Sequence, residues 1–250
     1  MVTYNILLTD ELFEKQINNE KEEFEKIIQK AAKLNKKLKI DSSLQSCNLF
    51  SYLLWNGYFS QDKTFRYQDF DIINERAKNV MLGYGCCRNI ASLLNYYLYE
   101  NNIQAEKIYT YFNPKRISIT DEPKINRKVI LEKSEEKEKK VFHVSNLVKD
   151  DEKCYVYDAT NLCISRLKND KIKMINGRGC QNINFDLLMS QRNVEKYKEL
   201  SKKTYIKKEE FIKQFEDDII FFKENEDLLD AFYSDINEEI INVSNKIKSL

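Results

Sequence analysis

Three short segments contain the residue types that acyl transfer needs. The first is Gly83-Tyr-Gly-Cys-Cys-Arg-Asn-Ile-Ala91, where two of the chain's five glycines stand just before a cysteine pair. Glycine lets the backbone turn sharply and lets a substrate approach closely. A thiol at a helix start lies in the positive partial charge of unpaired N–H groups, which favours the nucleophilic thiolate, and the same groups can hold an oxyanion. The second segment is Val141-Phe-His143-Val, in a predicted strand. The third is Tyr155-Val-Tyr-Asp158-Ala-Thr160, where an acid ends an apolar strand and a buried carboxylate needs a partner. Singly, each has an ordinary explanation: cysteines as small core residues, a packed strand histidine, a turn-forming aspartate. Together they give the order Cys…His…Asp. The 15 residues from His143 to Asp158 suit two antiparallel strands joined at Asp150-Asp151, with a helix bringing the cysteine pair against them. That is nucleophile, base and orienter, the logic of a thiol acyl-transfer enzyme.

Composition narrows the alternatives. His143 is the only histidine, which excludes HExxH zinc sites and paired-histidine chemistry. The six cysteines (Cys47, Cys86, Cys87, Cys154, Cys163 and Cys180) form no CxxC pair, so neither a structural zinc site nor a disulfide framework is expected. A metal site from Cys154, Cys163, Cys180 and His143 would have spacings unlike a zinc knuckle or ribbon. No metal and no cofactor is expected. A net charge of +1 argues against a broad basic surface for nucleic acid. No segment approaches the roughly 18 apolar residues of a membrane span, and the start, MVTYNILLTDELFEK, has no basic region before its apolar patch. The expectation is a cytoplasmic protein with no membrane partner.

The elements that must position these groups can be read from periodicity. Phe13, Ile17, Phe24, Ile27, Ile28, Ala31 and Leu34 recur at helical spacing between Leu12 and Leu38, with Thr9 or Asp10 as cap. Asp41 and Ser42 open a second helix that ends at Asn56-Gly57. A third starts at Cys86-Cys87 and ends near Asn101-Asn102. Strands are predicted over 107–112, 128–131, 141–148 and 154–157. Eight of the nine residues 132–140 are charged, which makes that segment a solvated hairpin tip. From about Val194 the chain is helical again, with stripes Phe211, Phe215, Ile219, Phe222 and Leu229, Phe232, Ile236, Ile240, Ile241. Strands in a run, without alternating helices, argue α+β.

Gly-Tyr-Gly-Cys-Cys87-Arg-Asn-Ile-Ala-Ser-Leu-Leu, followed by Asn-Asn-Ile-Gln-Ala105-Glu-Lys-Ile, resembles the transglutaminase-like superfamily. The family's Gly-x-Cys-Arg motif falls on Gly85 to Arg88, its histidine block on His143-Val-Ser, and its Asp-Pro-Thr on Asp158-Ala-Thr160. The resemblance spans about residues 45–165. It implies a papain-like α+β fold: a central Cys-bearing helix packed on an antiparallel sheet, with flanking N- and C-terminal helices. It implies a helical segment over 1–40, a catalytic core over 41–192 and a second helical segment over 193–250. It selects Cys87 over Cys86 as nucleophile, with His143 as base and Asp158 as orienter, and it makes Trp55, the only tryptophan, a candidate oxyanion donor. The sequence departs from the family at Asn89, Gln104 and Ala159 and lacks the aromatic that often follows the histidine. The expected activity is peptidase, amidase or acyltransferase chemistry on a protein or peptide substrate through a thioester at Cys87. The alternative is a non-catalytic protein-binding module that keeps the fold.

Overall fold

The computed structural model describes residues 10–67, 77–112, 141–150, 153–160, 163–168, 171–176, 187–189 and 208–249. Helix α1 spans Asp10–Lys37, with Lys36 and Lys37 closing its last turn. It buries Phe24, Ile27, Ile28, Ala31 and Leu34, the one-sided pattern of an amphipathic helix. Helix α2 spans Ser43–Trp55; Ser42 is its N-cap, accepting from the Gln45 N–H. Asn56 is its C-cap and Gly57 follows at φ +75°, where a Cβ would stand 2.2 Å from the Lys63 carbonyl carbon. That turn admits only glycine. Helix α3 spans Cys87–Glu100 with Cys86 as N-cap, and Asn102 leaves it at φ +59°. These three helices match the sequence expectation.

Short strands β1 (Arg66–Tyr67) and β2 (Tyr84–Gly85) pair in parallel, and a 3₁₀ turn over Ala77–Leu82 lies between them. Then come β3 (Gln104–Phe112), β4 (Val141–Asp150), β5 (Lys153–Asp158), β6 (Cys163–Lys168), β7 (Lys171–Asn176) and β8 (Leu187–Met189). Helices α4 (Lys208–Glu224) and α5 (Glu226–Lys248) follow. The chain is α+β, as expected. The sheet is antiparallel, as expected, and it closes into a barrel, β3 through β8. Strands β6 to β8 were not foreseen, and β8 returns to pair with β3 at Thr110↔Met189 and Phe112↔Leu187. The expected strand 128–131, the charged tip 132–140, Asp151 of the expected turn and residues 194–207 lie outside the described residues.

One continuous core joins the helices to the barrel. It includes Phe24 from α1, Phe50 from α2, Leu94 from α3, Tyr157 from β5, Phe222 from α4 and Ile236 from α5. The terminal helical segments therefore share a core with the region between them. Among the described residues no helix is long and apolar enough to cross a membrane.

Candidate functional site

The cysteine pair lies where a tight turn meets a helix. Gly83 has φ +84°, and a Cβ there would stand 2.7 Å from the Thr64 carbonyl oxygen. The strand from Thr64 to Tyr67 thus lies directly against the backbone that leads into Cys86. Cys86 is the extended N-cap, φ −107° and ψ −178°, and forms a capping box with Asn89. Asn89 Oδ1 accepts from the Cys86 N–H at 2.9 Å. Cys87 is the first residue inside α3, among amides that have no intrahelical partner. It is 6% exposed and packs with Ala91 of α3, Val144 of β4 and Tyr67 of β1.

Strand β4 carries His143 and approaches α3 along one face. Val144 touches the Cys87 cluster, and Asn146 Nδ2 donates to the Ala91 carbonyl at 2.8 Å. On β5, Tyr155, Tyr157 and Ala159 join the helical core, as does Val148 of β4. The opposite face lies inside the barrel. Ser145, Leu147, Val156 and Asp158 are all buried there. His143 is placed by its backbone, opposite Thr110 of β3; its imidazole lies outside the described part of the structure. The β4–β5 register, Asn146↔Tyr157, extends to set Ser145 across from Asp158. Asp158 thus lies across from Ser145, two residues along β4 from position 143. Cys87 meets β4 on the other face, one residue along from His143. The strand pairs with β5 only from Asn146 onward, so position 143 lies beyond that ladder, near the barrel rim.

Asp158 is 1% exposed, and its Oδ1 accepts from the Thr160 N–H at 3.0 Å, so the carboxylate turns the chain out of β5. The Trp55 indole N–H donates to the Ala159 carbonyl at 2.7 Å, and its ring meets Phe65 edge-on at 5.2 Å. An N–H engaged in this way ties α2 to the Asp158 turn and is not presented to a substrate oxyanion in this structure. Sequence spacing gave no hint of that bond.

Among the described residues of α3 and β4, Asn89 Nδ2, Ser92 Oγ, Ser145 Oγ and Asn146 Oδ1 are buried without a hydrogen-bond partner. Sequence reasoning also missed Tyr67, a wall of the Cys87 cluster, and Asn146, which fixes α3 to β4. Asn146 had a usable signal, a polar residue at a helix-facing position of an apolar strand. Compared with known proteins, the chain matches no family model, and neither a curated protein nor a solved structure matches it.

Proposed function

We propose that the protein is a thiol enzyme of transglutaminase-like type that cleaves or transfers an amide acyl group. The observation that carries this reading is the place of Cys87. It is the first residue of a helix, behind a glycine turn, and against the residue that follows His143. In the mechanism, His143 takes the Cys87 proton as the sulfur attacks the amide carbonyl carbon. The oxyanion that forms is met by the Cys87 N–H, a first-turn amide of α3. Collapse breaks the C–N bond, and the imidazolium returns its proton to the departing amine. Water, or a second amine, then attacks the thioester and releases Cys87. Asp158 orients the imidazole from the neighbouring strand. This step requires the imidazole to reach the thiol from the strand position next to Val144. A protein or peptide substrate fits this chemistry.

The 6% exposure of Cys87 and its apolar neighbours favour a second reading, a binding module whose cysteine is a core residue. Iodoacetamide labelling at neutral pH separates the two. An active site labels Cys87 ahead of the other five cysteines, and His143→Ala slows that labelling. Uniform labelling of all six, unaffected by His143→Ala, would leave only the binding module. With an amide substrate in hand, Cys87→Ala abolishes turnover and Cys86→Ala retains it. His143→Ala lowers turnover by about 10²–10⁴-fold.

A further inference from the structure

Helix α2 is joined to strand β5 at Tyr155 and Tyr157, and to the residue that follows the strand, Ala159. The Tyr155 hydroxyl and Ser43 Oγ are 2.7 Å apart. The Tyr157 hydroxyl donates to Asn48 Oδ1 at 2.9 Å and lies 3.0 Å from Ser51 Oγ. The Trp55 N–H takes the Ala159 carbonyl. Residues 157 and 159 flank Asp158. Because side chains alternate across a strand, pinning both neighbours to α2 fixes the backbone from which Asp158 projects the other way.

The pin at Tyr157 has a foundation outside the site. Asn48 is fully buried and turns its amide Nδ2 to Asp218 Oδ2, 2.7 Å away on α4. Gln214 Nε2 donates to the other oxygen, Oδ1, at 2.7 Å. Asp218 is 1% exposed and stands in the apolar stripe between Phe215 and Phe222. A carboxylate there is costly to bury, and the hydrogen bonds it accepts offset that cost. It fixes which way the Asn48 amide faces. With Nδ2 committed to Asp218, Oδ1 is left to receive the Tyr157 hydroxyl.

We infer that Asp218 is a positioning residue: through Asn48 and Tyr157 it holds the turn that bears Asp158. Helix α4 thereby sets the geometry of a site to which it gives no reacting group. The catalytic meaning of this rests on the reading of Cys87, His143 and Asp158 above, but the coupling itself has an independent reporter. Trp55 is the only tryptophan and bonds to the same turn.

The experiment follows Trp55 emission and the pH profile of Cys87 alkylation in Tyr157→Phe, Asp218→Ala and Asp218→Asn. Tyr157→Phe and Asp218→Ala are expected to shift the emission to longer wavelength. They are also expected to raise the midpoint of Cys87 labelling by about one pH unit, as a misplaced carboxylate stabilises the imidazolium less. Asp218→Asn should stay close to wild type in both, because Gln214 can turn its amide to suit and Asn48 keeps an acceptor. Unchanged emission in folded Tyr157→Phe overturns the coupling. Shifted emission with an unmoved labelling profile, in a protein whose Cys87 is selectively reactive, overturns the positioning role. If Asp218→Ala does not fold, Tyr157→Phe, which removes a single hydroxyl, decides. If wild-type Cys87 labels no faster than the other cysteines, the enzyme reading falls, and a shifted emission still supports the link from Asp218 to the turn.

Discussion

Around Cys87 the chain uses apolar contact: Ala91, Val144 and Tyr67 close on the thiol. Around Asp158 it uses hydrogen bonds, from Thr160, Trp55 and Tyr157 to Asn48 and Asp218. Apolar packing is non-directional and yields locally, so the thiol can become accessible by small shifts of its neighbours. Hydrogen bonds fix direction, and a buried one left unmade carries the full desolvation cost of its partner. The Cys87 side is thus built to move and the Asp158 side to stay. A substrate arriving at Cys87 would be accommodated by the first wall and aligned by the second.

The comparison breaks most readily at Asn48. Asn48→Leu removes the amide from Asp218 Oδ2 and the acceptor of the Tyr157 hydroxyl, which keeps Ser51 Oγ. A buried group left short of a partner costs about 1–3 kcal/mol, more when charged. The expected loss is about 3 kcal/mol or more in urea unfolding; a loss under about 1 kcal/mol would mean that water replaces the amide without penalty. The other wall should respond less and in a second way. Val144→Ala removes two buried methyls, for roughly 2 kcal/mol. It also opens space beside Cys87, so alkylation of that thiol should quicken although the protein is less stable. Slower or unchanged labelling would show that Val144 does not limit access.

A smaller effect depends on pH. Burial raises the Asp218 carboxyl above its ordinary value of 3.8, against the lowering effect of hydrogen bonds from Asn48, Gln214 and Gln45. The folded state then holds the proton more tightly than the unfolded chain. This contribution to stability is full below the unfolded value and is lost as pH rises through the folded one. Unfolding measured from pH 4 to 7 should therefore show a downward component that Asp218→Asn removes; equal slopes in the two proteins would contradict it. The smallest change is expected far from either wall. Lys63 Nζ pairs with Asp230 at 2.6 Å and lies 4.5 Å from the Tyr58 ring centre, in a site that is 39% exposed on the lysine. Lys63→Met should cost about 1 kcal/mol or less, and added salt should shrink the difference.

Legibility in the sequence followed the range of the interaction. Ser42, Asn56 and Gly57 at the ends of α2, and Gly83 to Cys87 at the start of α3, could be read because caps and turns act within a few residues. The α+β class followed from the order of the elements. Barrel closure could not be read, since it joins Phe112 to Leu187 across a long span of chain. The hairpin of β6 and β7 had only a weak local signal, short apolar runs on either side of Asn169-Asp170 interrupted by lysines and an arginine. Asp218 was also visible in principle, a single acid at the helical spacing Phe215, Asp218, Phe222. Its partners on α2 come from 170 residues away, and no local pattern names them. The Trp55 bond to Ala159 was hidden for the same reason.

Lys30 on α1 bonds to Glu239 on α5, 209 residues later in the chain. The first helix described is thus completed by the last. At the usual rates of synthesis of about 5–20 residues per second, some 10–40 seconds separate the making of those two residues. Throughout that interval α1 lacks the part of its partner surface that α5 supplies, although α3 is made early in it. The nascent chain therefore carries a partly exposed apolar helix from early in its synthesis, and chaperone engagement should concentrate on that helix and end once α5 emerges.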